Sequence, residues 1–157
     1  MSDPTSAALS RAFHQISDYE HTTIAEYEHW YLRIHLDQAY LGRSILWRKR
    51  KGNAVSPTML SQKERDEYFR VARNWETGIK RLWNPTRFNH AWLCNMTHEH
   101  GGHGHWHLIP RYAEVRRWHG QIFTDDNPLG NYAPYNARVV DRTLLDQLRD
   151  DIRGAMR

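Results

Sequence analysis

Histidine recurs at every second position of the segment 103–109, and this alternation constrains the chain more than any other feature of its sequence. In a β-strand successive side chains point to opposite faces, and residues two apart lie about 6.6 Å apart on the same face. The segment therefore predicts a strand with three imidazoles in a row on one face, while Trp106 and Leu108 turn to the other face and pack in the core. The row consists of His103, His105 and His107.

A row of imidazoles supports two kinds of chemistry, and the spacing alone does not separate them. A row without any function is disfavoured, because neighbouring imidazoles repel one another when charged and need polar partners when buried. Neutral imidazole is the commonest metal ligand, and His98, His100 and His119 stand near the row in the sequence. Alternatively, the central imidazole attacks a phosphoryl group while its neighbours hold the phosphate oxygens.

A long amphipathic helix is predicted over residues 61–82. Its apolar residues recur at steps of three and four, which places them on one helical face. Ser61 and Glu64 form a capping box at the start, and Asn84-Pro85 ends the helix. The apolar stripe is wider than one core contact needs, which favours a second contact surface on the same helix. It consists of Tyr68, Phe69, Val71, Trp75, Ile79, Leu82 and Trp83.

The other elements indicate an α+β domain in which helices pack on one face of an antiparallel sheet. Alternating and aromatic-rich segments predict strands over 30–34, 44–47, 88–96 and 103–109. A C-terminal amphipathic helix is expected over 143–155, behind Asp141 or Thr143. A short helix is expected within 1–16, and 119–138 reads as a loop near the opening of the site.

Composition narrows the class of protein. A chain of 157 residues without internal repeats suits one domain spanning 1–157. Its single cysteine, Cys94, excludes a disulfide framework within the chain. No apolar run approaches the length of a membrane span, and the first residues lack a signal-peptide core. We therefore expect a soluble cytoplasmic protein that does not bind a membrane.

The charge balance is mildly basic, with 22 Lys and Arg against 18 Asp and Glu. An excess of this size suits an anionic partner. Its densest run, residues 48–51, is interpreted as a solvated basic turn beside a phosphate site rather than as a nucleic-acid patch. We therefore do not expect nucleic acid as the partner.

The triad segment resembles a known family. His-Gly-His-Trp-His-Leu-Ile fits the pattern His-x-His-x-His followed by two apolar residues, which defines the histidine triad superfamily of nucleotide hydrolases and transferases. The following Pro110-Arg111-Tyr112 is similar to the branch of diadenosine polyphosphate hydrolases. Other segments resemble the same branch, so the resemblance covers about residues 20–135. They are Tyr40–Arg43 with the apolar and basic residues that follow, Asn89–Asn95, Phe123–Asp125 and Gly130–Tyr132.

The resemblance implies an antiparallel sheet of about five strands, a long helix and a C-terminal helix. It also implies cleavage at the α-phosphate of a nucleotide, such as a dinucleoside polyphosphate, through a covalent nucleotidyl-histidine. His105 is then the nucleophile, and His103 and His107 orient it, neutralise phosphate oxygens and relay protons. Neither a permanently bound cofactor nor a metal site is implied, although Mg²⁺ can accompany a polyphosphate substrate.

Five further residues are candidates for substrate contacts. The resemblance places Asn95 against the transferred phosphate, and His35 at a position that commonly holds a ribose-binding Asn or Asp. Asp37 is chemically the better partner for ribose hydroxyls. Arg43 is usual in this branch, whereas Lys51 replaces a histidine. A lysine keeps the positive charge but cannot act as a neutral proton relay near pH 7.

Two other functions stay open. Lys51, together with Gly104 inside the triad strand, fits a triad-fold protein that binds a nucleotide in a regulatory role without turnover. A metal-dependent enzyme would use the triad with His98 or His119. For assembly, the resemblance implies a homodimer that pairs through the long helix and an adjoining strand, and that brings the tail after Gly120 near the partner's pocket.

Overall fold

Five antiparallel strands form the sheet on which the rest of the molecule is built. The structure is a computed structural model that describes residues 19–52, 55–93 and 103–157. The strands are β1 (Thr23–Glu26), β2 (Trp30–Ile34), β3 (Ser44–Lys51), β4 (Arg87–Trp92) and β5 (His103–Arg111). Their order across the sheet is β1-β2-β3-β5-β4, so β5, which bears the histidine row, lies inside the sheet between β3 and β4. The predicted α+β class and the predicted sheet are confirmed.

Helix α1 (Gln62–Trp83) is the long helix that the sequence predicts. Ser61 caps its first turn: the Oγ of Ser61 accepts from the N–H of Glu64 at 3.2 Å, and Oε2 of Glu64 accepts from the N–H of Ser61 at 2.7 Å. Burial opposes ionisation of Glu64, but hydrogen bonds from Arg50 and Ser61 outweigh it and bring the pKa of this carboxyl to about 2. Asn84 ends the helix with a left-handed backbone.

Helix α2 (Arg142–Ala155) packs against α1 and against strands β1 and β2. Asp141 caps it by accepting from the N–H of Leu144 at 2.9 Å. Because Gly78 of α1 lies against Met156, just beyond α2, this helix covers part of the wide apolar stripe on α1 within one chain. Phe69 is the member of the stripe left in solvent, with 68% of its surface exposed. Among the described residues, no helix is long and apolar enough to cross a bilayer.

Both helices lie on the same face of the sheet, and the hydrophobic core fills the space between the helices and the sheet. Trp30 and Trp75 are fully buried there, and the indole N–H of Trp75 donates to Oγ of Ser44 at 3.0 Å. Gly42 lies in the turn before β3 with φ +84°, and a Cβ at this position would stand 2.7 Å from the ring of Trp83. Only glycine therefore fits this turn without moving the end of α1.

Strand β3 continues through the basic run that the sequence analysis interprets as a turn. The strand extends to Lys51 rather than ending at Trp47. Two of its charged side chains have carboxylate partners, one on β1 and one on α1. Nζ of Lys49 lies 2.6 Å from a carboxylate oxygen of Glu26, and Arg50 binds both carboxylate oxygens of Glu64. The run of four positive charges therefore does not interrupt the strand.

Three other sequence expectations need correction or lie partly or wholly outside the described ranges. The segment 119–138 is not all loop: β6 (Arg116–Trp118) and β7 (Gln121–Phe123) form a hairpin. Its two-residue turn, His119-Gly120, has positive φ at both positions, which is the turn geometry that suits tightly twisted strands. The strand expected over 88–96 runs from Arg87 to Trp92. Residues 94–96 and the short helix expected within 1–16 lie outside the described residues.

Candidate active site

The histidine row lies on the sheet face turned away from the helices. Trp106 stacks on Tyr68 of α1 with ring centroids 4.6 Å apart, and Leu108 is fully buried. The imidazoles alternate with these residues and so project from the opposite face, where the ring centroids of His105 and His107 lie 5.0 Å apart. Only 5% of His105 and 9% of His107 is exposed, so both rings lie in a recess.

Trp47 of β3 lines the centre of the row. It pairs with His105 across the β3–β5 ladder. Its ring centroid lies 5.8 Å from that of His105 and 6.0 Å from that of His103. The guanidinium of Arg33 lies 5.4 Å from the Trp47 ring centroid. An indole and a cation thus extend the site toward β2, which suits a planar ligand that carries negative charge.

The protonation of His103 follows from its contact with the backbone. Its Nδ1 lies 2.8 Å from the carbonyl oxygen of Arg48. Because a carbonyl only accepts, we assign the proton to Nδ1 and the lone pair to Nε2 of the neutral ring. His103 therefore presents an acceptor when neutral and a second N–H donor when protonated.

Arg43 is buried beside the third histidine, with 4% of its surface exposed. Its Nη1 lies 2.7 Å from Oδ2 of Asp37 and also contacts the hydroxyl of Tyr135. Its Nη2 lies 3.4 Å from Nδ1 of His107. A guanidinium held in this way places a positive charge next to the triad, in an arrangement that is chemically suited to an anionic ligand.

His35 adds a fourth imidazole to the site. Its ring centroid lies 5.6 Å from that of His107, and its Nδ1 accepts from the backbone N–H of Asp37 at 2.9 Å. Burial and then the positive charges of Arg43, His107 and His105 hold the pKa of His35 well below its ordinary value. His35 is therefore neutral at physiological pH, with its proton on Nε2.

Asp37 turns its carboxylate into the protein. Its Oδ1 accepts from the backbone N–H groups of Ala39 at 2.9 Å and Arg138 at 2.8 Å, and its Oδ2 accepts from Arg43. Only 1% of Asp37 is exposed. Asp37 therefore fixes Arg43 and the tail of the chain, while His35 is the member of this pair whose ring faces the triad.

Lys51 stands opposite His103 at the end of β3. The register pairs the two residues after an irregularity that follows Trp47, and Lys51 is exposed. Its ammonium group thus lies in solvent beside His103, which is the end member of the histidine row. Asn95 lies outside the described residues, and so do His98 and His100.

The described residues do not assemble the metal site that the sequence leaves open. Within these ranges, no group of three or more His, Cys, Asp or Glu side chains is arranged to hold a metal ion. His119 lies at the tip of the β6–β7 hairpin against Trp118, with ring centroids 4.4 Å apart. Trp118 in turn contacts Trp83 at the end of α1. The structure thus places His119 on the helix side of the sheet and away from the triad.

Three residues of the site, Trp47, Arg33 and Tyr135, are not among the candidates from the sequence. Trp47 shares the register of the triad, and alternation along residues 45–51 is a signal that could have placed it on the triad face. Tyr135 has no such signal, because it lies in a segment without period and reaches Arg43 across 92 residues of sequence.

The comparison with known proteins identifies the fold. No protein-family model and no curated protein matches this sequence. A histidine triad protein of Bradyrhizobium japonicum matches with a TM-score of 0.64 and 15% identity, over 90% of this chain and 96% of that chain. A histidine triad protein of Sinorhizobium meliloti matches with a TM-score of 0.64 and 16% identity, over 83% and 85%.

A hypothetical histidine triad nucleotide-binding protein of Sulfolobus tokodaii matches with a TM-score of 0.60 and 16% identity, over 95% of this chain and 91% of that chain. The chain therefore has the histidine triad fold, as the resemblance of its sequence implies. The matched structures share the histidine triad fold with this chain, and they do not single out the diadenosine polyphosphate branch.

Proposed function

We propose that this protein is a nucleotidyl hydrolase or transferase that cleaves at the α-phosphate of a nucleotide through a covalent intermediate on His105. The observation that carries the proposal is the position of His105. It is the central histidine of the row, and its ring is buried between those of Trp47 and His107. The histidine triad fold supports the same chemistry but does not by itself establish it. A dinucleoside polyphosphate is the substrate class that we propose first.

The reaction takes two steps, each of which exchanges one bond at phosphorus. In the first step, a ring nitrogen of neutral His105 bonds to the α-phosphorus while the bond to the leaving-group oxygen breaks, and that oxygen keeps the electron pair. In the second step, the oxygen of water or another acceptor bonds to phosphorus and gives up its proton to a base of the site. The phosphorus–nitrogen bond breaks, which frees His105 and, with water, releases a nucleoside monophosphate.

The groups around His105 have distinct roles in this proposal. His103 and His107 orient the nucleophile, bind phosphate oxygens and relay protons. Arg43 supplies a fixed positive charge, and His35 donates its Nε2–H to an acceptor oxygen of the nucleotide. Lys51 meets the phosphates of the leaving group from the solvent side. Mg²⁺ enters with a polyphosphate substrate as a charge shield rather than as a resident ion.

A nucleotide-binding protein without turnover is the second candidate, and the surroundings of Lys51 favour it. An exposed ammonium group stands opposite His103, where the resemblance expects an imidazole. Because an ammonium group stays charged at neutral pH, it cannot pass a proton in the way an imidazole does. Binding of a nucleotide is compatible with this arrangement even if turnover is lost.

Replacement of the nucleophile tests the proposal. His105→Asn should reduce release of nucleoside monophosphate from a dinucleoside polyphosphate by several orders of magnitude, because the two-step route is lost. Binding of a nucleoside monophosphate, measured by calorimetry, should survive. His119→Asn is the matched control, since this histidine lies on the hairpin away from the triad. Retention of more than about a tenth of turnover in His105→Asn removes the nucleophile role.

A substrate panel separates the two candidates and defines the leaving group. The panel contains a dinucleoside polyphosphate, a nucleotide sugar, an adenylated amine and a capped oligonucleotide. Turnover of one of them supports the enzyme, whereas binding of all without turnover supports the nucleotide-binding protein. A chelator should leave hydrolysis of the adenylated amine unchanged, because that substrate has no polyphosphate charge to shield.

A further inference from the structure

Tyr135 reaches the site from the C-terminal tail. Its hydroxyl accepts a hydrogen bond from Nη1 of Arg43, whose guanidinium carbon lies 5.1 Å from the Tyr135 ring centroid. The ring also packs edge-on against Tyr40, with centroids 5.5 Å apart. Burial raises the pKa of Tyr135, so its hydroxyl is neutral at physiological pH and meets Arg43 as an acceptor.

The chain on both sides of Tyr135 is anchored to its own subunit. On one side, the hydroxyl of Tyr40 donates to the carbonyl oxygen of Tyr132. On the other side, the backbone N–H of Gln38 donates to the carbonyl of Arg138 at 2.7 Å, and the N–H of Arg138 donates to Asp37 at 2.8 Å. The tail up to Arg138 therefore helps to build the pocket of the chain to which it belongs.

Arg43 links this tail to the triad. A guanidinium has no acceptor, so its contact with Nδ1 of His107 at 3.4 Å is one in which Arg43 donates. The Nδ1 lone pair must then face Arg43, and the proton of the neutral ring is on Nε2. His107 thereby presents an N–H donor at Nε2, whereas neutral His103 presents a lone pair at its Nε2 and so accepts. The two ends of the row thus differ in the hydrogen bond that each offers to a phosphate.

We propose that Tyr135 is a positioning residue that, through Arg43, fixes the tautomer of His107 with the proton on Nε2. This rests on the proposed function in one respect: the Nε2–H of His107 binds a phosphate oxygen of the substrate. Asp37 and Tyr135 both bind Nη1 of Arg43, so the hydroxyl is the second of two anchors that aim Nη2 at His107. Without it the guanidinium rotates about the remaining anchor, and His107 exchanges between tautomers.

Tyr135→Phe tests the proposal because it removes the hydroxyl and keeps the ring. Tyr132→Phe is the matched control, since the Tyr132 hydroxyl makes no hydrogen bond to the residues that the structure describes and only the Tyr132 carbonyl binds Tyr40. Histidine ring nitrogens labelled with ¹⁵N report the tautomer of His107 by NMR, with the signal assigned by its loss in His107→Asn. Steady-state kinetics with a dinucleoside polyphosphate report kcat and KM, and a thermal melt reports folding.

We expect His107 in the unmodified protein and in Tyr132→Phe to carry its proton on Nε2. In Tyr135→Phe we expect a mixture of tautomers, and a fall in kcat of about tenfold with little change in KM. A proton on Nδ1 in the unmodified protein, or unchanged His107 signals in folded Tyr135→Phe, overturns the proposal. The NMR measurement needs no turnover, so an inactive protein with the expected tautomers refutes the proposed function and leaves the role of Tyr135 supported.

If Tyr135→Phe does not fold, Arg43→Lys takes its place. A lysine keeps the charge beside Asp37 but lacks the second nitrogen that reaches His107. The same loss of the Nε2 tautomer is expected, and unchanged His107 signals in that variant also overturn the proposal.

Discussion

At the scale of single residues, the surroundings of each imidazole decide which nitrogen carries the proton. A backbone carbonyl sets His103, and a backbone N–H sets His35. The carbonyl belongs to Arg48 within β3, and the N–H belongs to Asp37 in the segment that follows β2. Because backbone groups cannot change their role as donor or acceptor, both assignments persist over the whole pH range in which the rings are neutral.

His35 makes the stability of the fold sensitive to mild acid. Burial and then the charges of Arg43 and the triad hold the pKa of His35 well below 6.5, so near that pH the unfolded chain binds a proton that the folded chain does not. Its contribution to the free energy of unfolding is therefore complete above pH 6.5, and it is lost at about 1.4 kcal/mol per pH unit as the pH falls toward the folded-state pKa.

His35→Asn should flatten this dependence in urea unfolding between about pH 6.5 and 5, because an amide oxygen still accepts from Asp37 but does not titrate. His119→Asn is the control and should leave the slope unchanged, since His119 is exposed. An identical slope in His35→Asn and the unmodified protein would show that His35 does not cause the effect.

Lys51 should distinguish substrates by their number of phosphates. If its ammonium group meets the leaving phosphates, Lys51→Ala weakens binding of a dinucleoside polyphosphate more than binding of a nucleoside monophosphate, because a point charge gains more from more negative charge. Calorimetry with both ligands measures the difference. Lys63→Ala, an exposed lysine of α1, is the control. Equal effects on both ligands identify Lys51 as a solvent-facing residue without a phosphate role.

The sequence predicts the part of the site that one strand carries. Alternation alone places His103, His105 and His107 on one face, because the period of a strand is fixed by its backbone. Tyr135 and the inward turn of Asp37 depend instead on contacts between segments about a hundred residues apart, such as Arg138 with Asp37 across 101 residues. No local pattern specifies which of many polar groups will meet over that distance.

At the scale of elements, capping and periodicity predict the ends of the helices to within a residue or two. They do not predict the short strands. Ser61 and Asp141 each supply a side-chain oxygen for the first turn, and the structure uses both. β1, β6 and β7 have three or four residues each, too few to show a period. The His119-Gly120 turn was the available signal for the β6–β7 hairpin.

A buried ion pair fastens the start of the tail to the end of β5. Nε of Arg111 lies 2.7 Å from Oδ2 of Asp125, Nη2 lies 3.1 Å from Oδ1, and neither side chain is exposed. Asp125→Asn should therefore lower the free energy of unfolding by about 3–5 kcal/mol, because a buried guanidinium loses its counter-charge. Asp126→Asn, the exposed neighbour, should change it by less than about 0.5 kcal/mol.

Urea unfolding of both variants measures the difference. A loss below about 1 kcal/mol in Asp125→Asn would mean that the carbonyl groups around Arg111 suffice to hold it. Those carbonyls belong to Asn127 and Gly130, which continue the same segment.

At the scale of the whole molecule, we expect a two-fold dimer through α1 and the edge strand β4. Helix α2 covers part of the apolar stripe, so the surface left for a partner is smaller than the sequence suggests and centres on Phe69. β4 pairs only with β5 in the described sheet, which leaves its outer edge open to a second copy. Light scattering should give twice the chain mass of 18.8 kDa at micromolar concentration.

Phe69→Lys should shift this mass toward the monomer, because a charge in an apolar contact is costly to desolvate. Leu129→Lys is the control: Leu129 is 80% exposed and lies in the tail rather than on α1. A single species of 18.8 kDa for the unmodified protein at micromolar concentration would refute the dimer.

Because Tyr135 and Arg43 are far apart in the sequence, their contact forms late during synthesis of the chain. The ribosome makes the polypeptide from its N-terminus, so the strand with the histidine row emerges before the tail that binds Arg43. A nascent chain that has not reached residue 135 holds the triad without this contact. Synthesis of residue 135 therefore completes the hydrogen bonding of Arg43, after the strand that carries the triad has already been made.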